Sequence, residues 1–469
     1  CCSTGVTPPP PSCSLFTPYT QPAGVSADII APPTERGTMI ATVLGPIHKS
    51  SVTGSCSAHE HLLQKPSPSD MKAIHDNPIT LLSLAEARSD DGGRFAASNR
   101  LFSLDESVQE IKSLVDAGGS LVLECSTQGE GRDPSGLADI STRTGICIVM
   151  AASWTRKHVA DINAPKPSAE AIGRELELQL LFGVHVDPTA AVAPSSTSVA
   201  ATTTGRIQAG FLVVALDDKC DQGAAPPAQA ETSGETIRAL EGAALAQKAT
   251  AAPLMVVCSH FVGWELVESA VSVATAHWGD SPAAGKKLIL AGMHGGIGQS
   301  LPCQVAMLER GVVLCFDCFG RLEWLPGPEY YPSDEESAVR IAELARLGYA
   351  DRLVISQGVS RRTHLSRFGG HGYSHALRTV PVRLQRLGVS ASNISLMTRG
   401  NMLQLLDWYT PPPPVEAPKD YLPCSWCQTR FEPIEGEYFH KFQFVYCGIK
   451  CLRLHRDTGF DAARVGGGA

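Results

Sequence analysis

The sequence has little of what would mark it for a special environment. Aromatic residues make up 6% and charged residues 18% of its 469 positions. The formal net charge of -8 is mild for that length and argues against a general nucleic-acid-binding surface. No apolar run reaches about 18 residues, so no segment reads as a membrane-spanning helix. No GxGxxG follows the first apolar run, which counts against an open dinucleotide-binding sheet. The opening stretch, CCSTGVTPPPPSC, reads as neither a signal peptide nor an Arg-rich transit segment. The 15 cysteines are odd in number and scattered, as expected of reduced thiols in an intracellular protein rather than a disulfide framework.

What is present is a change of texture along the chain. Residues 1–36 are rich in Pro, Ser and Thr, too poor in apolar area to fold alone, and are expected to form an extended or disordered arm. From 37 to 410, short apolar runs alternate with helical stretches. TMIATVLGPI opens the series. SLDESVQEIKSLVDAGG follows as an amphipathic helix, with Val108, Ile111, Leu114 and Val115 on one face and glycine as its stop. The runs SLVLECS, ICIVMAA, GFLVVAL, LMVVCS, KLILAG, VVLCFD and RLVISQ are nearly continuous in apolar residues, as parallel strands covered on both faces require. Strand and helix repeating in this way predict a (β/α)₈ TIM barrel, with an open doubly wound sheet as the alternative. A low-complexity insert lies within residues 184–205, and a stiff proline linker covers 411–419.

The barrel segment carries the triplet His59-Glu60-His61. Histidines at i and i+2 on a strand share one face, so at a strand's end both can reach one metal ion. Glu60 between them points away and is assigned to barrel packing.

In these residues the chain resembles the phosphotriesterase-related family of the amidohydrolase superfamily. The likeness rests on TVLGPI and the HEH triplet, on GEGRDPSGLADISTRTGICIV from Gly129, on GVVLCFDCFG at Gly311–Gly320, and on THLSRFGGHGYSHAL at Thr363–Leu377. The resemblance implies a two-metal centre at the barrel mouth. Its ligands are the two HEH histidines, a bridging carboxylate, two further histidines and an Asp, and its bridging hydroxide attacks esters, lactones, amides or phosphorus centres. Carried onto this sequence, the last four ligand positions fall on Val214, Val257, Met293 and Gly358, none of which binds a hard or borderline cation. His260, His294, Asp217 and Asp218 stand nearby. His59 and His61 are then expected to be vestigial, and the barrel metal absent. The glycines of Gly369-Gly370-His371-Gly372-Tyr373 either shape the pocket rim or hold loop geometry.

Beyond the linker, residues 420–458 carry Cys424-x2-Cys427 and Cys447-x3-Cys451, a spacing that reads as one tetrahedral Cys₄ structural zinc site. His455 and His440 are reserve ligands. Phe431, Tyr438, Phe439, Phe442, Phe444 and Tyr446 supply a core, and the pattern resembles a treble-clef or TRASH-like finger. Residues 459–469 read as a tail. The expectation is a catalytically inactive barrel serving as a scaffold or assembly subunit, docking proteins in preference to nucleic acid through the finger. The alternative is a metal-dependent hydrolase of esters, lactones, phosphotriesters or N-acyl compounds with an altered site.

Overall fold

A computed structural model describes residues 39–409 and 422–460 of the chain, except 90–92, 156–165, 187–204, 217–228, 259–262, 277–286, 293–299, 322–330, 427–429, 432–437 and 443. The N-terminal arm, most of the insert, the linker, nearly all of the tail, and Asp217, Asp218, His260, Met293, His294 and Cys427 lie outside the described residues.

Strand and helix alternate as the sequence predicts. The strands are β1 (Ser55–Glu60), β2 (Gly119–Glu124), β3 (Cys147–Ala152), β4 (Phe211–Leu216), β5 (Leu254–Cys258), β6 (Leu288–Ala291), β7 (Val313–Phe316) and β8 (Leu353–Ile355). They form one sheet in sequential order, every neighbouring pair parallel. The helices that follow them are α1 (Leu104–Asp116), α2 (Pro134–Thr144), α3 (Ala169–Leu181), α4 (Gln229–Thr250), α5 (Trp264–Ala276), α6 (Leu301–Glu309), α7 (Asp334–Arg346) and α8 (His375–Arg386).

The alternation along each strand makes two cores. Leu121, Leu123, Val149, Ala151, Phe211, Val213, Met255, Ile289, Ala291, Val313, Cys315 and Val354 fill the barrel. Val122, Ile148, Leu212, Val214, Leu254, Val256, Leu290, Leu314 and Ile355 pack outward among the helices. Helix α1 shows how the outer layer is specified. The Ser103 side chain accepts from Glu106 N at 3.4 Å as its cap, and Val108, Ile111 and Leu114 are buried along one stripe. Each such side chain contributes about 1.5–3 kcal/mol of burial. Gly118, at φ +88°, turns the chain back into β2.

TMIATVLGPI departs from the expectation of a barrel strand. Met39–Thr42 and Gly45–His48 form an antiparallel hairpin outside the sheet. Val43 N bonds Ile148 O at 2.9 Å, and Trp408 Nε1 bonds Gly210 O at 2.7 Å. Both acceptors lie at strand beginnings, so the hairpin and the residues after Asn401–Leu406 close the amino end of the barrel. Ile40, Val52, Met402, Leu405 and Leu406 join the inner core there. The opposite, carboxyl end is left as the mouth, where barrels of this kind place their chemistry.

The finger has its own core of Cys424, Phe444 and Tyr446, bordered by Trp426, Phe431, Phe439, Leu452 and Phe460. It is built from two short hairpins and the helix α9 (Ile449–Asp457). Among the described residues, no helix is long and apolar enough to cross a membrane.

Candidate functional site

At the mouth, the end of β1 is irregular. Ser57 pairs with Val122 and Glu60 with Glu124, so three steps on β1 face two on β2. This bulge changes the alternation. Cys56 and Ala58 lie in the inner core, yet His59 beyond them reaches Asp317 at the end of β7. His59 Nδ1 is hydrogen-bonded to Asp317 Oδ2, while Asp317 Oδ1 accepts from Gly292 N at 3.1 Å. Burial disfavours the imidazolium, but the Asp317 carboxylate outweighs it and holds His59 above its usual pKa. His61 Nδ1 meets Ser126 Oγ at 3.0 Å, and the two imidazole rings stand 5.6 Å apart. Burial drives His61 down to about 4, so it is neutral near pH 7.

Glu60 does more than pack. Five donors converge on its carboxylate: Ser57 Oγ (2.6 Å), Ser356 Oγ (2.8 Å) and the backbone N–H groups of Gln357 (2.9 Å), Gly358 (3.2 Å) and Val359 (2.7 Å). The last four lie in or just beyond β8, so this carboxylate ties the two end strands of the sheet together. Ser356 Oγ and a His61 N to Val359 O bond of 2.8 Å complete the closure. Tyr373 of the glycine-rich rim is buried and donates its hydroxyl to His61 O at 2.7 Å. Gly369 and Gly372 take φ +74° and +64°, so the glycines hold the loop geometry that lets Tyr373 reach in.

Behind the mouth, Glu124 is fully buried and its Oε1 accepts from Leu62 N at 3.3 Å. Burial pushes it up to about 8, against the pull of Ser126 and Arg132, and burial lowers Arg132 to about 10. The folded protein thus binds this proton more tightly than the unfolded chain, where a Glu titrates at about 4.3. Stability should fall as pH rises from about 4.3 to about 8, with a slope near 1.4 kcal/mol per pH unit from this group, and level off above. Urea unfolding of Glu124→Gln at several pH values should lack that component. Parallel pH profiles for variant and wild type would contradict it.

The missing ligand positions are resolved as follows. Val214 is packed in the outer, strand–helix layer. Strand alternation puts Ala215 on the face of Phe211 and Val213, and that position has no carboxylate either. Val257 borders the inner core. Gly358 stands at the Asp position with φ +70°, and a Cβ there would lie 1.9 Å from Asp317 O and 3.0 Å from Arg321 Nη2. No side chain enters that space without rebuilding the turn. A dinuclear centre does not fit the described residues: neither Val214 nor its inward-facing neighbour Ala215 offers a bridging carboxylate, and Gly358 is a backbone-constrained glycine.

The finger fits a metal better. The sulfurs of Cys424, Cys447 and Cys451 lie within 4.8 Å of one another. His455 is removed from the ligand list: it is buried, its Nδ1 pairs with Tyr446 Oη at 2.9 Å, and Trp426, Phe444 and Phe460 ring it. His440 is exposed beside Tyr438 and outside the cluster. Cys427 is left as the sequence-predicted fourth ligand. These thiolates would hold a structural zinc, which would supply the stability that so small a core cannot.

Sequence reading missed the partners in the mouth. Asp317 was visible only as part of a matched strand, and Arg321 carried no signal at all. An Asp closing the apolar run VVLCFD is the one local hint.

Barrel and cysteine cluster together define a (β/α)₈ fold with an appended treble clef. Residues 228–406 match the phosphotriesterase family, and residues 419–463 match the Vms1-associating treble clef domain. The barrel is similar to phosphotriesterase-related proteins, and the carboxyl end to the treble clef domain. The chain is 23% identical to an N-acetyltaurine hydrolase of Tetraodon nigroviridis over 381 residues, 76% of this chain and 94% of that one. It is 24% identical to a phosphotriesterase-related protein of Aedes aegypti over 396 residues, covering 78% and 98%. The solved structure of a resiniferatoxin-binding protein from Rhodobacter sphaeroides superposes with a TM-score of 0.61 at 27% identity, covering 79% of this chain and 96% of that one.

Proposed function

We propose that this chain is a catalytically inactive member of its family, a barrel kept as a scaffold within a larger assembly and docked to a protein partner through its treble clef. The observation that carries the reading is Gly358. Its positive φ and the 1.9 Å approach of Asp317 O to any added Cβ leave no space for the carboxylate that a dinuclear centre uses there. The lack of a carboxylate at Val214 and at its neighbour Ala215 supports it, since neither can neutralise two ions and hold a hydroxide between them. Relatives are named N-acetyltaurine hydrolases, which makes that amide the first substrate to try.

N-acetyltaurine, lactones, aryl esters and phosphotriesters should be hydrolysed at background rates, with zinc, cobalt or manganese added. Turnover that disappears in His61→Ala would establish the alternative, a metal-dependent hydrolase with an altered site. On the docking side, deleting residues 420–458 should release the barrel from the assembly it sediments with in extracts. Unchanged sedimentation would move the docking surface elsewhere.

A further inference from the structure

We infer that Arg321 is the resident cation of the barrel mouth, a guanidinium placed so that it keeps divalent ions off the His59–His61 pair. The inference rests on the reading that the mouth holds no dinuclear centre, and adds what maintains that condition.

Arg321 follows β7 and the positive-φ Gly320. Its Nη2 donates to the Gly358 carbonyl, and its Nη1 lies 2.6 Å from His364 Nδ1. Nη2 stands 3.0 Å from the point where a side chain at position 358 would begin. The guanidinium therefore fills the space into which the Asp ligand of the resembled centre would project. It is anchored there by the carbonyl of the very residue that lacks a side chain. The glycine and the arginine form one substitution in physical terms: neither an Asp at 358 nor a metal beside it is compatible with this guanidinium.

The electrostatics agree. Arg321 is placed beside the pair by its contacts: Gly358, whose carbonyl it holds, donates its N–H to Glu60 at 3.2 Å, and Asp317, whose carbonyl crowds Gly358, is bonded to His59 Nδ1. A guanidinium stays charged throughout the ordinary pH range. A second cation on those imidazoles would face it beside the buried His59, where repulsion is less screened than in water. Without the arginine, the donor set is different in kind. His59 and His61 each have an outer partner at Nδ1, Asp317 and Ser126, the arrangement that orients imidazoles toward a metal through the other nitrogen. Two histidines and a nearby carboxylate are a set that transition metals accept. The histidines are not what refuses the ion.

The test uses the full chain with its finger loaded with zinc, titrated with Co²⁺ and followed by visible absorption and by metal content after desalting. Wild type should take up no Co²⁺ in the mouth. Arg321→Gln and Arg321→Ala should each gain one Co²⁺ per chain, and the gain should vanish when His61→Ala is added. Arg321→Gln retains a donor for the Gly358 carbonyl and carries the test if the alanine variant fails to fold. Should the folded glutamine variant bind no more Co²⁺ than wild type, the role of Arg321 is wrong while the inactive-barrel reading stands. His61-dependent Co²⁺ uptake by wild type itself would overturn both.

Discussion

Replacing Cys424 by Ser should unfold the finger and leave the barrel melting as before. Among the described residues of the finger, Cys424, Phe444 and Tyr446 are its buried apolar side chains, and His455 is buried with them. So few buried side chains do not offset the ordering of about 40 residues. Zinc bound by four thiolates contributes apparent free energies of about 10–16 kcal/mol in small finger peptides, and that binding energy is folding energy. Losing one thiolate forfeits most of it. Among the described residues the barrel cores share none with the finger core, so the barrel transition should not move. Limited proteolysis should cut within residues 419–463 in the variant and, after chelator treatment, in wild type. A finger that resists protease in Cys424→Ser would show that the metal is dispensable.

The second large effect is expected at Glu60. Glu60→Ala removes the acceptor for Ser57 Oγ, Ser356 Oγ and the N–H groups of Gln357, Gly358 and Val359, all in a region closed to water. Each buried donor left without a partner costs about 1–3 kcal/mol, and part of the loss is recovered by relaxation. A net loss of about 3–5 kcal/mol is therefore expected, on the scale of breaking a buried charged network. The seam between β1 and β8 should open first, read as faster amide exchange at His61, whose N–H bonds Val359 O. Glu60→Gln retains one acceptor oxygen and should fall between. A cost under about 0.5 kcal/mol, the level of an ordinary surface change, would mean that the closure does not depend on this carboxylate.

The barrel was legible because its signal is repeated and local. Seven buried runs and the amphipathic helices between them each obey the periodicity of their element, and Val108, Ile111 and Leu114 pack as that periodicity places them. TMIATVLGPI was misleading because an apolar run states burial but not its partner. Here it meets its own hairpin mate and the amino end of the barrel. The site was half legible. Spacing located His59, His61 and the cysteine pairs. It did not show that Val214 packs outward, because a strand's facing is fixed only by its register, and a single step exchanges the core layers. The role of Glu60 was hidden because a strand bulge, unseen in sequence, changes which side chains meet at the end of β1. His455 looked like a ligand by spacing. It is a core histidine because its partners, Tyr446 and the surrounding rings, come from elsewhere in the fold. Arg321 was invisible for the same reason: its meaning lies in a contact with Gly358, distant in the chain.

The central proposal, a barrel without the dinuclear centre of the phosphotriesterase-related proteins it resembles, joined to a zinc-dependent finger, is tested most directly by counting metal. The full chain, saturated with zinc and desalted, should hold one zinc per molecule. The count should drop to none in Cys424→Ser and remain one in the His59→Ala, His61→Ala double variant. Two or three ions per chain, with the excess lost in the histidine variant, would contradict the account.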